Sequence, residues 1–230
     1  MIKHILEILR QSRLMDLIES DLKKMMDLAE RSFLASSEAV LEGKEVDFDL
    51  YAQDREINLL VINTRKRIVE HLSVGRATYP VGELVFITLI NNLERIGDYS
   101  KNLYDLYRRT GGPLKSSKYI EGIREMRETL VEFFPMTRKA LFDDDEKMAR
   151  EVMDRHLDLV KTYNRLIVDL MHDEEMDGPQ AVALTIMLRT LKRVSSHLKT
   201  IASSAVSPFM LMGFRQMPEV KKEKGIEDDD

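Results

Sequence analysis

The segment from Val81 to Arg109 contains no proline and places apolar side chains at every third or fourth position. This spacing is typical of one buried stripe along an α-helix. The stripe consists of Phe86, Leu89, Leu93, Ile96, Ser100, Tyr104 and Tyr107. A helix of this length gains most of its stability by packing such a stripe against other helices. The segment therefore restricts the chain to a helical bundle.

The same periodicity recurs along the chain and predicts two similar sets of three helices. The predicted helices run from about Leu14 to Glu42, Val46 to Leu72, Val81 to Arg109, Lys118 to Phe142, Glu146 to His172 and Gln180 to Val206. A Thr-Gly-Gly-Pro break at residues 110–113 separates the sets. Pro80 and Pro179 each precede or open a third helix, about 100 residues apart. We therefore predict an all-α fold of two tandem three-helix bundles with spectrin-repeat-like up-down helices.

Domain boundaries follow from these elements. We expect a first repeat with an N-terminal extension over residues 1–110, a linker over 111–117, a second and degenerate repeat over 118–206, and a tail over 207–230. Met1–Gln11 has helical spacing and is expected to extend the first helix or to form a short separate one. In the tail, the apolar run Phe209–Phe214 is expected to dock on the bundle rather than bind a partner, because exposed apolar patches are unfavourable. The charged remainder is expected to be disordered.

The composition excludes several classes of function. The chain has no cysteine, so it can have neither disulfide bonds nor thiolate chemistry. A net charge of −5 argues against nucleic acid as the main partner. No apolar run reaches the roughly 18–20 residues of a membrane span, and Met1–Arg10 lacks the pattern of a signal peptide. We therefore expect a cytoplasmic protein.

The run Leu93-Glu94-Arg95-Ile96-Gly97-Asp98, with Asn102 after it, lies within the third predicted helix. Glu94 and Asp98 are four residues apart, so their carboxylates lie on neighbouring turns at the edge of the buried stripe. Gly97 costs about 1 kcal/mol relative to Ala inside a helix, which is understandable if another group approaches the backbone there. This run resembles the signature of the PhoU family of phosphate-uptake regulators, which stands on the third helix of each repeat.

The resemblance implies a fold of two tandem three-helix bundles and a metal site. Members of the family carry acid pairs, four residues apart on the second and third helices, that bind iron or another divalent metal. The implied ligands in this sequence are Asp54, Asn58, Glu94 and Asp98. Carboxylates on facing helices are hard oxygen ligands, and the implied metal is iron, manganese or zinc. Asn58 stands where the family has an acid and adds no charge, so the site is expected to be weakened.

The second repeat departs further from the family pattern. Lys192 and Ser196 occupy the positions that match Glu94 and Asp98 of the first repeat. The second helix of this repeat keeps Asp154 and Asp158, and we expect Lys192 to form an ion pair with these two acids in place of a metal.

The residues themselves leave a structural alternative open for the first repeat. In this alternative its acids pair with Arg95, Lys101 or a neighbouring helix, and they serve only as a hydrated polar surface of the bundle. His156 and His197 are further candidate ligands, but a lone histidine on a helix is more often a surface or internally paired residue. The methionines follow the apolar stripes and are interpreted as core residues.

The implied function is regulation of phosphate transport and phosphate signalling, by binding cytoplasmic parts of a phosphate transporter or sensor. Such a protein would be cytoplasmic or peripheral at the inner face of the membrane, and a homodimer is compatible with this role. No nucleotide loop, Ser-His-Asp set or zinc motif occurs, so we do not expect an enzyme. Pro80-Val81-Gly82-Glu83-Leu84 replaces the family's usual Asp-Leu-Arg. It resembles the PhoU-like modules attached to sodium–phosphate cotransporters, which makes that transporter class an alternative to the ABC-type transporter.

Two other hypotheses remain at this point. A carboxylate-rich bundle can be a di-iron enzyme or a metal store, but those sites use Glu-x-x-His on two helices, and the sequence contains none. A helical adaptor without a metal or a phosphate role would keep the fold and lose the site.

Overall fold

The computed structural model describes residues 13–73 and 81–214. Within these residues the chain forms six α-helices and one short 3₁₀-helix. They are α1 (Arg13–Glu42), α2 (Leu50–Ser73), α3 (Val81–Thr110), α4 (Ile120–Phe142), α5 (Glu146–Met171), α6 (Gly178–Ser203) and the 3₁₀-helix Phe209–Leu211. The predicted all-α fold of two three-helix units is confirmed. The prediction for Met1–Gln11, most of the Ser73–Pro80 loop and the charged end of the tail lie outside the described residues.

Helix α2 begins at Leu50, so the predicted start at Val46 was wrong. The Asp49 carboxylate accepts a hydrogen bond from the backbone N–H of Ala52 at 2.9 Å. This is the geometry of an N-cap, which satisfies a backbone donor that has no partner within the helix. The capping bond therefore sets the first turn later than the apolar spacing suggested.

Aspartates also cap the last two helices. Asp145 accepts from the backbone N–H of Met148 at the start of α5, and Asp177 accepts from that of Gln180 at the start of α6. Helix α6 thus begins at Gly178, slightly before the predicted start at Gln180, with its proline in the first turn.

The two bundles pack against each other along α3 and α6, and α1 also contacts α4. The rings of Phe33 and Phe134 are fully buried, with centroids 5.5 Å apart, so the hydrophobic core continues from one repeat into the other. At the edge of this contact, the Arg127 guanidinium lies 3.2 Å from the Glu38 carboxylate. The repeats therefore share one core.

The first part of the tail docks on the bundle. Met212 is 7% exposed and Phe209 packs against the core. The backbone N–H of Gly213 donates to Ser203 Oγ at 2.8 Å, and Lys199 Nζ donates to the Gly213 carbonyl. The predicted docking thus holds for Phe209 and Met212, whereas Met210 and Phe214 are exposed.

Candidate functional site

Helices α2 and α3 bring Asp54 and Asp98 together around the ammonium group of Lys101. Lys101 Nζ lies 2.7 Å from Asp54 Oδ2 and 3.2 Å from Asp98 Oδ1. Asp54 is only 9% exposed, because the α2–α3 contact covers it. We call this arrangement the Lys101 bridge, since one ammonium joins a carboxylate on each of two helices.

The electrostatics of the Lys101 bridge favour the charged lysine. Burial by itself lowers the pKa of the Lys101 ammonium, but the hydrogen bonds and charges of Asp54 and Asp98 outweigh it and raise the pKa above its usual value. An ammonium with two carboxylate partners holds its proton more tightly, which strengthens the bridge at neutral pH.

Glu94 lies beside this bridge and pairs with Arg95, whose Nε is 3.5 Å from Glu94 Oε2. Partial burial raises the pKa of the Glu94 carboxyl, and the negative charge of Asp98 raises it further. The positive charges of Arg95 and Arg65 act in the opposite direction. Repulsion between the Glu94 and Asp98 carboxylates is therefore the second cause of the raised pKa, after burial.

Asn58 does not join these groups. It is half-buried one turn beyond Asp54 on α2, and the hydrogen bonds of the Lys101 bridge do not involve it. In the parts of the chain that the structure describes, no three His, Cys, Asp or Glu side chains come together as a metal ion requires.

The donor set, as arranged, does not fit a divalent metal, because Lys101 Nζ already donates hydrogen bonds to Asp54 Oδ2 and Asp98 Oδ1. A metal would have to displace an ammonium that both carboxylates hold. The predicted metal site at Asp54, Asn58, Glu94 and Asp98 nevertheless stays a prediction, since metal binding itself has to be measured.

The second repeat does not form the ion pair expected for Lys192. Lys192 Nζ lies over the ring of Tyr163, 5.5 Å from its centroid. Asp154 and Asp158 are exposed, and Asp158 pairs with Lys161 on its own helix at 2.8 Å. The prediction was wrong because these acids lie on the outer side of α5, away from α6.

His156 is the α5 side chain that does face α6. Its Nδ1 lies 2.7 Å from the hydroxyl oxygen of Ser195, and both residues are buried. Burial, together with the charges of Lys199 and Lys192, lowers the pKa of His156 to about 4. The imidazole is therefore neutral at physiological pH and serves as an internal hydrogen-bonding group.

The contact between His156 and Ser195 was not predicted from the sequence, where His156 was considered only as a metal ligand or as a surface or internally paired residue. His156 and Ser195 join the second and third helices of the second repeat, as Ile57 and Gly97 do in the first repeat. In that repeat a β-carbon at residue 97 would lie 2.9 Å from Ile57 Cδ1, so the predicted close approach to Gly97 is confirmed. The second repeat replaces this apolar contact with a hydrogen bond.

His197 has a comparable structural role between α3 and α6. Its Nδ1 lies 2.8 Å from Asn92 Oδ1, and its ring stacks on that of Tyr99 with centroids 5.7 Å apart. Burial, with the charges of Arg193 and Arg95, lowers the pKa of His197 to about 4. Both histidines are therefore internally paired structural residues, and their contacts are not those of metal ligands.

Glu83, within the segment that departs from the family pattern, is completely buried. Its Oε1 lies 2.8 Å from Nδ1 of His71 on α2. Val81 and Leu84 on the same turn are 42% and 47% exposed. The acid of this segment thus holds α3 against α2, while its apolar residues face outward.

An apolar stripe runs along the outside of α2. Leu59, Ile62 and Val69 are each 58–59% exposed, and their spacing places them on one face of the helix. Arg55 and Lys66 lie on the same face and are exposed. We call this surface the α2 stripe; its apolar side chains lie beside Arg55 and Lys66, which pair with Asp49 at 3.6 Å and with Glu70 at 3.9 Å. None of the described helices has the length and hydrophobicity needed to cross a membrane.

Comparisons with known proteins agree on the fold. A family model described as "PhoU domain" matches residues 22–106 and again residues 123–205. The crystal structure of PhoU from Pseudomonas aeruginosa superposes with a TM-score of 0.71 and 19% sequence identity, covering 84% of this chain and 95% of that chain. At this identity the likeness establishes the fold alone. No curated protein sequence matches the chain.

Proposed function

Since the chain belongs to the PhoU family, whose general role is the regulation of phosphate transport, we propose that it restrains phosphate uptake or phosphate signalling. It does so by binding cytoplasmic parts of a phosphate transporter or sensor. The family is regulatory rather than enzymatic, which agrees with the absence of catalytic motifs from the sequence.

The α2 stripe is the observation that carries this proposal. Single exposed apolar residues are ordinary on protein surfaces, but three on one face of one helix are typical of an interaction site. Arg55 and Lys66 on the same face pair with the exposed acids Asp49 and Glu70. Exposed ion pairs of this kind are weak, so both cations can exchange their partners for the negatively charged groups at the cytoplasmic side of a membrane. Binding there would place the protein at the inner face of the membrane.

The transporter class is a finer part of the proposal. Val81 and Leu84 are further exposed apolar residues of the first repeat, on α3. They belong to the segment that resembles modules attached to sodium–phosphate cotransporters. This supports a partner of that class over the ABC-type transporter. A homodimer formed through the same stripe would compete with the transporter for it.

Phosphate uptake in cells that lack the endogenous protein tests the proposal. Wild type should restore control of uptake, whereas Ile62→Glu with Val69→Glu should be folded and fail to restore it. Val168→Glu is a matched control, because Val168 is 53% exposed on α5, the corresponding helix of the second repeat. Cross-linking followed by membrane pull-down should recover a phosphate transporter or sensor with wild type and with the control variant only.

Two results would count against this function. If the stripe variant restores control as well as wild type, then the α2 stripe is not the contact surface. If wild type binds membrane partners without any effect on phosphate uptake, the protein is a helical adaptor instead.

A further inference from the structure

Six charged side chains lie where α2 packs on α3 in the first repeat; five of them are joined by ion pairs, and Arg65 acts on Glu94 through its charge. They are Asp54, Arg65, Glu94, Arg95, Asp98 and Lys101. Three of them are acids and three are bases, so the group is electrically balanced without any added ion. A site that binds a divalent cation from its surroundings normally presents an excess of carboxylate charge.

Lys101 is the base that lies between the two helices. Its Nζ is within hydrogen-bond distance of a carboxylate oxygen on α2 and of one on α3, at 2.7 and 3.2 Å. Its side chain is 25% exposed, less than half the 59% of Arg95. Lys101 therefore occupies the position from which one cation could contact Asp54 and Asp98 together.

We propose that the Lys101 ammonium is the resident cation of this site and that it keeps divalent metal ions out. A metal ion that bound Asp54 and Asp98 would have to expel Lys101, which would lose both of its carboxylate partners. The remaining donors would not compensate, because Glu94 is paired with Arg95 and Asn58 brings no charge.

This inference goes beyond the proposed function and does not depend on it. It reverses the expectation from family resemblance at this site: the acids are kept, but their counterion belongs to the chain. The bridge also ties α2 to α3 at a point where Gly97 allows the two helices to approach closely.

Removal of the lysine should open the site to metal. Purified wild type and Lys101→Met are titrated with Mn²⁺, and free Mn²⁺ is followed by electron paramagnetic resonance. Lys101→Met should bind at least about tenfold more tightly than wild type, and its thermal midpoint should rise with added Mn²⁺, because ligand binding to the native state stabilises it. Lys101→Gln, which keeps a polar side chain, is a second variant in case the methionine variant does not fold.

Two further variants make the result specific. Lys161→Met removes a lysine that also follows its aspartate by three residues, but on the exposed side of α5, and it should bind as weakly as wild type. Lys101→Met with Asp54→Asn should lose the gained affinity. Wild type that binds Mn²⁺ as tightly as Lys101→Met would overturn the proposal, and so would lysine variants that gain no affinity. Phosphate uptake is not part of this experiment, so its outcome is separate from that of the proposed function.

Discussion

Ile57 Cδ1 of α2 lies only 2.9 Å from the position that a β-carbon would take at Gly97 of α3. Both residues are buried, so the Ile57 side chain would have to shift within the core to admit a methyl group at residue 97. The glycine is therefore retained by packing, and its intrinsic cost in a helix is offset by the close approach of α2.

Gly97→Ala is expected to destabilise the protein by about 1–3 kcal/mol through overpacking, even though alanine is the better helix former. Gly178→Ala is the matched control, because no atom lies within 4 Å of the β-carbon there. Ile57→Val should recover part of the loss in Gly97→Ala by removing the clashing methyl group. Urea unfolding curves of the variants measure these differences. Equal stability of Gly97→Ala and Gly178→Ala would contradict the packing argument.

The helices could be predicted from sequence because long amphipathic periodicity is a strong and local signal. The start of α2 could not be predicted, because the two aspartates Asp47 and Asp49 precede it and the structure has a capping hydrogen bond at Asp49. Which of several neighbouring acids caps a helix depends on backbone angles that periodicity does not encode.

Much less of the candidate site could be predicted. The sequence placed Glu94 and Asp98 at the edge of the buried stripe, and the structure has both half-buried there. It could not decide between a metal and an internal base, because that depends on how α2 is rotated relative to α3. The same rotation in the second repeat brings His156, and not Asp154 or Asp158, towards α6.

The buried His156 and the partly buried His197 predict a loss of stability in mild acid. In the folded protein the pKa values of His156 and His197 are about 4, against an unfolded value near 6.5. The unfolded chain therefore takes up protons first as the pH falls. The contribution of the two histidines to the free energy of unfolding is complete above pH ~6.5 and is lost progressively as the pH falls to ~4. Allowing for partial solvent screening, each histidine should contribute about 2 kcal/mol to this decrease.

Urea unfolding at a series of pH values between about 7 and 4 measures this slope. His156→Gln and His197→Gln should each flatten it, and the double variant should flatten it most. His172→Gln serves as the control, since His172 is exposed at the end of α5. If the double variant keeps the slope of wild type, the acid sensitivity arises from other groups.

The Glu94 carboxyl predicts a smaller change of stability with pH, opposite in sign to that of the histidines. Burial and Asp98 raise the pKa of its carboxyl in the folded protein, so the folded state holds this proton more tightly than the unfolded state. Its contribution to stability therefore increases as the pH falls through the folded-state pKa. Glu94→Gln should remove this dependence and raise the stability at neutral pH by a few tenths of a kcal/mol, because the group is partly exposed. A clear loss of stability at neutral pH would mean that the pairing with Arg95 outweighs the repulsion.

Variants of Asp54 distinguish an acid that stabilises the fold from an acid that contacts the partner. Asp54 is buried and holds Lys101, so Asp54→Asn should weaken the Lys101 bridge and cost about 1–3 kcal/mol, as is usual for a charge-assisted hydrogen bond. Leu93 is fully buried, and Leu93→Ala should cost about 2–5 kcal/mol by leaving a cavity in the core. At a temperature where Asp54→Asn is still folded, it should restrain phosphate uptake like wild type, whereas the α2 stripe variant should be stable and inactive. Thermal midpoints and uptake measured on the same set of variants decide between these roles. A stable Asp54→Asn protein that releases uptake from control would instead make the α2–α3 acids part of the contact surface for the partner.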